Sequence, residues 1–389
     1  MDTRKSALTD SSLAAENTLS TATGTLVEGG TAEKKSAPNR SLFQLCYPLL
    51  LHSLLSFAVV LLDTMIISAY ADEAAAAVNV ANQILIVAYE FSALFGVGGV
   101  ILIAHSLGRG DEEYAKQVVK VTLLANVALS FLITLVLVVL APLLLSWINT
   151  PAEIFDNALL YIYICSASLA LNGFIVAALP CLRGFGLTKI IFLMSVFSQS
   201  FYLAIEYVLI LGFGPIEGMG VLGSALGTLA LRVVAASFLI VIIFKVLKMN
   251  WQLALSFAEV IALVKRLFKI SFPSVSDNIA NGLYQLILVA FIASMGVATL
   301  LSRGYTMIAN TFLTLVIMVI SQGNEVLLGY KAGAGDSQSA FRRAIQSAWV
   351  AVLLSTVIAI ILYFFSNHFI GLFTDDNEVL ALSKTLMLL

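Results

Sequence analysis

Few side chains in this sequence could do chemistry, and those that could stand inside long apolar runs. Asp63, Glu90, Glu206, Arg232 and Asp277 are the clearest cases. An ionisable group in a membrane-spanning run costs at least ~2.5–3.5 kcal/mol, so each marks a candidate site. Asp63 and Glu206 each lie about six or seven residues from the end of a run, which is roughly 10 Å deep at ~1.5 Å per residue. Equal depth lets two carboxyls share one site. In low dielectric they cannot both ionise comfortably, so the pair would hold a proton near neutral pH, or Na⁺ between its oxygens. Two separate, hydrogen-bonded carboxyls are the plainer alternative. Asn172 and Thr228 offer neutral oxygens to such a cation, or simply hydrogen bonds between packed helices. Glu90 and Arg232 lie near mid-depth in their runs. Either they pair, or Glu90 faces a cavity with Gln83, Asp277 and Asn281 and attracts a cationic substrate. Glu325 stands near the end of its run, within reach of Lys331.

Other chemistries are excluded by type and spacing. Three cysteines, Cys46, Cys165 and Cys181, sit in apolar stretches without disulfide or zinc spacing. His52, His105 and His368 are scattered, so a metal centre is not expected. The glycines from Gly212 to Gly223 follow an apolar helix rather than a strand, and no phosphate-binding lysine motif is present. No nucleophile–base constellation points to an enzyme, and no cofactor is implied beyond H⁺ or Na⁺ as a coupling ion.

The elements that must position these residues are membrane helices. Of the 389 residues, 60% are hydrophobic and 11% charged, with mean hydropathy +0.99. Soluble domains carry about 25% charge, so a soluble protein is excluded. The net charge of −2 leaves no basic field for nucleic acid. Residues 1–40 are rich in Ser, Thr, Ala and Glu and predict a disordered tail. Apolar runs near the ~20 residues a bilayer needs follow at 45–69, 80–106, 118–146, 157–181, 188–212, 220–246, 269–295, 304–330 and 342–366, and a tenth begins near 378. Alternate links carry the basic residues, among them Arg109, Lys116, Arg183, Lys189, Lys265, Arg266, Arg342 and Arg343. The positive-inside bias therefore predicts a multi-pass protein of the plasma or bacterial inner membrane with a cytoplasmic N-terminus. Its partners would be the bilayer and a small organic substrate, and it would be a monomer.

The sequence also repeats. Pro48 and Pro273 stand 225 residues apart (273 − 48), and Gly108-Arg109-Gly110-Asp111 meets Gly333-Ala334-Gly335-Asp336 at the same offset. The reading is an all-α polytopic membrane protein of two pseudo-symmetric six-helix lobes, arranged as parallel repeats. Residues 41–250 would form the first lobe, with six spans. Residues 251–389 would form the second, with spans seven to nine and the start of the tenth. On this register the second unit continues roughly 80 residues past Leu389, so the lobe reads as incomplete.

Four motifs resemble those of the multidrug and toxic compound extrusion (MATE) transporters. They are Pro48 with Leu62-Asp63-Thr64, the Leu182–Lys189 loop, Gly220–Thr228, and Ser321-Gln322-Gly323 with Gly329-Tyr330 and the Gly333–Asp336 turn. The resemblance covers about 41–389. It implies cation-driven export of organic, often cationic, compounds through a cavity between two lobes. It places Asp63 at the first-span acid of the cation site and Glu206 where many members carry Asp. Tyr202 stands where Asn is common, and Asn281 where sodium-coupled members carry Glu. Coupling in the first lobe, by protons rather than Na⁺, is therefore the expectation. A lipid or polysaccharide flippase of the same superfamily is the first alternative, with Arg232 as its main deep cation. A non-transporting receptor or scaffold is the second.

Overall fold

The computed structural model describes residues 41–365, 382 and 384–386, except 149, 215, 251, 253 and 294–296. The expected tail over 1–40 and most of the tenth run lie outside these residues. Among them the chain is helical, with a two-residue hairpin, β1 (Gly212–Phe213) on β2 (Ile216–Glu217). The helices are α1 (Leu42–Tyr70), α2 (Asp72–Ser92), α3 (Leu94–Gly108), α4 (Glu112–Trp147), α5 (Ala152–Ala167), α6 (Leu169–Gly184), α7 (Thr188–Leu211), α8 (Val221–Lys245), α9 (Phe257–Ala293), α10 (Val297–Gly333) and α11 (Ser337–Phe364). Among the described residues seven spans are long and apolar enough to cross a membrane, with α2 and α3 counted together as one, or eight if α5 and α6 also count as one bent span. The seventh run, expected at 269–295, is helical in α9 as far as Ala293 but is not among them, because Ser271, Ser274, Asp277, Asn278, Asn281 and Gln285 dilute its apolar character.

Two runs that read as continuous helices are broken. The second divides at Ala93 into α2 and α3, and the fourth bends by 52° at Ser168 between α5 and α6. Each break frees backbone groups that lipid cannot satisfy, so protein must do it. Asn126 of α4, fully buried, does so at the first. Its Oδ1 accepts from Phe95 N at 3.1 Å, and its Nδ2 donates to the carbonyls of Ser92 and Gly173. Arg232 of α8 does so at the second, where its Nη1 donates to the Cys165 carbonyl at 2.9 Å and to the Ser168 hydroxyl.

The 225-residue register recurs in three dimensions. Asp111 and Asp336 each cap the following helix by accepting from the amide three residues on, Tyr114 at 2.9 Å and Ser339 at 3.0 Å. Each follows a glycine in the left-handed region, Gly110 at φ +83° and Gly335 at φ +82°. Just before these turns α3 and α10 meet reciprocally. A Cβ added to Gly108 would strike the carbonyl oxygen of Tyr330, and one added to Gly333 would strike that of His105. His105 and Tyr330 are themselves 225 apart (330 − 105), so each half contacts the other's equivalent, as across a two-fold axis. The same end is tied further by the Tyr330 hydroxyl, which donates to Gly184 O at 2.8 Å. Arg183 also pairs there with Glu325 at 3.2 Å, both side chains mostly buried.

Two large apolar cores and a smaller one pack the helices among the described residues. One gathers Leu102, Val119, Leu182, Leu239 and Leu267. The other gathers Ile67, Leu85, Leu145, Ile162 and Ile210. Large apolar side chains such as Leu135, Val139, Trp349 and Leu353 are exposed, as bilayer-facing helices require. Because the α3–α10 contact is reciprocal, Gly108→Ala and Gly333→Ala are expected to destabilise the protein equally, by about 1–3 kcal/mol each. Thermal unfolding of the two variants in detergent checks this, and a markedly unequal loss would contradict the symmetric contact.

Candidate functional site

The site is built on α1 and α7, which pack along each other. On α1 the polar residues His52, Ser56 and Asp63 fall at helical spacing on one stripe, and on α7 Ser195, Gln199, Tyr202 and Glu206 do the same. Both stripes face inward because the rest of each helix is apolar. With Asn172 of α6 and Thr228 and Arg232 of α8, all of these except Glu206 line one cavity of about 330 Å³.

Asp63 and Glu206 do come together, through a residue the sequence flagged only as a departure. The Tyr202 hydroxyl donates to Glu206 Oε1 at 2.7 Å and lies 3.3 Å from Asp63 Oδ1. Glu206 is fully buried behind Tyr202. Its Oε2 has no hydrogen-bond partner, and neither does the hydroxyl of Ser224. Asp63 is partly exposed to the cavity. Farther along, Gln199 Nε2 donates to Ser56 Oγ at 2.9 Å, while His52 Nδ1 and Asn172 Nδ2 are buried without partners. This is a chamber of oxygen and nitrogen donors and acceptors, with one carboxyl at its surface and a second in its wall.

Several expected placements differ. Arg232 does not pair with Glu90. It caps the α5–α6 break and lies over the Tyr89 ring, 4.8 Å from its centroid. Glu90 instead accepts from Asn278 Nδ2 of α9 at 3.0 Å. The helix break at Ser168 provides the physical reason, since its free carbonyl and hydroxyl offer the guanidinium closer acceptors. Gln83 is separate as well. It lies with Ile84, Val87, Phe91, Leu132 and Val136 in an apolar cavity of about 460 Å³ between α2 and α4. Asp277 and Asn281 are exposed on α9 and do not line the Asp63 cavity. Glu325 pairs with Arg183, not with Lys331, because the α3–α10 crossing brings the ends of α6 and α10 together. The sequence missed Asn126, Ser168, His52, Ser56 and Gln199. The polar stripes on α1 and α7 were the available signal for the last three. No group of His, Cys, Asp and Glu among the described residues is arranged to hold a metal.

The MatE family model matches residues 48–208 and 273–389. The chain belongs to the MatE family. Its members are transporters and not enzymes. The two matched segments of this MatE chain begin at Pro48 and Pro273, on the 225-residue register. The uncharacterized transporter YisQ of Bacillus subtilis is 28% identical over 358 residues, covering 92% of this chain and 79% of the relative. The multidrug export protein MepA of Staphylococcus aureus is 25% identical over 362 residues, covering 91% and 78%. Two solved structures share the fold. The MATE transporter VcmN of Vibrio cholerae in its bent form has a TM-score of 0.81 at 21% identity, covering 89% of this chain and 78% of that one. A MOP superfamily transporter from Pyrococcus furiosus has a TM-score of 0.78 at 19% identity, covering 92% and 80%.

Tyr202→Phe keeps the ring and removes the hydroxyl that joins the two carboxyls. Its expected effect is about a tenfold loss of substrate flux with an unchanged amount of protein in the membrane, from one charge-assisted hydrogen bond of ~1.5 kcal/mol. Flux in reconstituted vesicles tests it, and undiminished flux would remove Tyr202 from the machinery.

Proposed function

We propose that this MatE transporter is a proton-driven antiporter that exports organic cations, with Asp63, Tyr202 and Glu206 as its coupling site. The observation that carries the reading is a count of hydrogens. Tyr202 has one O–H, and its 2.7 Å bond to Glu206 uses it. The contact to Asp63, at 3.3 Å, is long for an O–H···O bond. A proton on Asp63 supplies the missing hydrogen, so the carboxyl can donate to the phenol oxygen and draw α1 toward α7. Loss of that proton leaves a carboxylate at the cavity surface, where it attracts a cationic substrate.

Exchange follows from this competition. With the cavity open outward, Asp63 takes a proton and its hold on the substrate cation is lost. With the cavity open inward, the proton leaves and the carboxylate binds the next substrate. One charge moving down 100 mV yields about 2.3 kcal/mol, which is enough to bias the cycle. In this reading the N-terminus and the Arg183–Glu325 end are cytoplasmic, the protein sits in the cell membrane, and the α3–α10 crossing closes the inner side between lobes 41–250 and 251–389. The likeness to MepA, named a multidrug export protein, supports the substrate class.

Efflux of a cationic dye from cells or vesicles under an imposed pH gradient is the test. Asp63→Asn is expected to abolish gradient-driven efflux while dye still binds at least weakly. Wild-type efflux by that variant, or efflux that follows a sodium gradient and ignores pH, would overturn proton coupling at this site.

A further inference from the structure

His52 is not used by the coupling scheme. It stands on α1 eleven residues before Asp63 (63 − 52), about 16 Å along the helix at ~1.5 Å per residue. Both border the same cavity. The groups between them are polar. Ser56 Oγ donates to the His52 carbonyl and accepts from Gln199 Nε2, each at 2.9 Å. Two atoms along this stretch, His52 Nδ1 and Gln199 Oε1, are buried without partners. Such atoms cost free energy unless water reaches them. The cavity of about 330 Å³ has room for several waters at ~30 Å³ each. His52 also marks one end of the cavity. The lining residues nearest the Arg183–Glu325 end are His52 on α1, Leu179 on α6 and Met194 on α7. Beyond them the Arg183–Glu325 pair and the bond from Tyr330 to Gly184 close the way. Arg183 is within electrostatic reach of His52. The other titratable or charged groups on the surrounding elements are Cys46 and Asp63 on α1, Tyr202 and Glu206 on α7, Glu325 on α10 and, farther along the cavity, Arg232 on α8.

We propose that His52 relays the proton between Asp63 and the side of the membrane that the Arg183–Glu325 end faces. The inference deepens the proton reading and rests on it. When that end opens, the Asp63 carboxyl gives its proton to a water in the cavity, and the water chain passes one on to the His52 imidazole. The imidazolium so formed loses a proton to solvent at the opened end. Asp63 is left a carboxylate and His52 neutral, so one proton has crossed. Imidazole suits the step because either ring nitrogen can carry the proton, which lets it accept on one and release from the other. The buried Gln199 amide and Ser56 hydroxyl hold the water between the two groups. A residue that only filled space at position 52 could be replaced by another polar side chain of similar size without slowing proton transfer.

The test is flux of ethidium, a cationic dye, driven by a pH gradient across vesicles that hold the full chain. His52→Gln keeps a polar side chain of similar size but cannot take up a proton. It is expected to lower the maximal flux about tenfold or more, while the dye concentration for half-maximal flux changes less than about threefold. His52→Ala should lose as much, and free imidazole in the buffer should restore about a third or more of the loss by carrying the proton in the space the side chain leaves. Wild-type flux in His52→Gln, or a His52→Ala variant that imidazole does not rescue, would overturn the relay. Should neither variant fold, Gln199→Leu decides. It removes the polar link between His52 and Asp63 and should slow maximal flux about three- to tenfold without rescue by imidazole; undiminished flux would overturn the relay. Failure of the coupling reading looks different. The wild type would then move ethidium at a rate that the pH gradient does not change, and the relay would fall with it. Gradient-driven wild-type flux that His52→Gln leaves intact overturns the relay alone.

Discussion

Everything at one end of this protein depends on two backbones touching. Gly108 and Gly333 let α3 and α10 approach until each Cα lies where a side chain would otherwise stand. In lipid, no hydrophobic force draws helices together, so close packing through small residues must do it. The contact is reciprocal because the residues that receive it, Tyr330 and His105, are equivalent in the repeat. The ends of α6 and α10 follow, and this is what places Arg183 against Glu325 and the Tyr330 hydroxyl against Gly184. A closed end built from backbone contact and one ion pair is a discrete arrangement.

Arg232 is held at the edge of the chamber by a helix break. Unbroken spans at 80–106 and 157–181 would have kept their carbonyls internally bonded. The breaks at Ala93 and Ser168 expose backbone groups in a region without water, where each unsatisfied group costs several kcal/mol. Asn126 and Arg232 meet that need, and both are buried for it. Arg232 then has a second consequence. It carries a positive charge to the wall of the cavity that Asp63 enters from the other side.

The charges in this chamber constrain one another. A guanidinium and two carboxyls share it, and Tyr202 ties the carboxyls through a single hydroxyl. With one proton on the carboxyl pair, the sum is neutral. With none, it carries one negative charge, which suits one cation. The phenol of Tyr202 carries a single hydrogen, so it can donate to only one of the two carboxyls at a time.

Much was legible in the sequence because membranes impose simple rules. Apolar run length fixed the helices, and the offset shared by Pro48 and Pro273 exposed the repeat. The cost of burying charge singled out Asp63, Glu206 and Arg232. The link between Asp63 and Glu206 through Tyr202, the breaks within two spans and the partners of Arg232, Glu90 and Glu325 were not legible. Each depends on the rotation of one helix about its axis relative to another, and hydropathy carries no phase between separate helices. Gln83 shows the limit plainly: its depth matched a cavity residue, yet α2 turns it toward the apolar side of α4. Depth along the membrane is a one-dimensional quantity that sequence spacing determines. Which side chains meet at that depth is decided by packing in the other two dimensions.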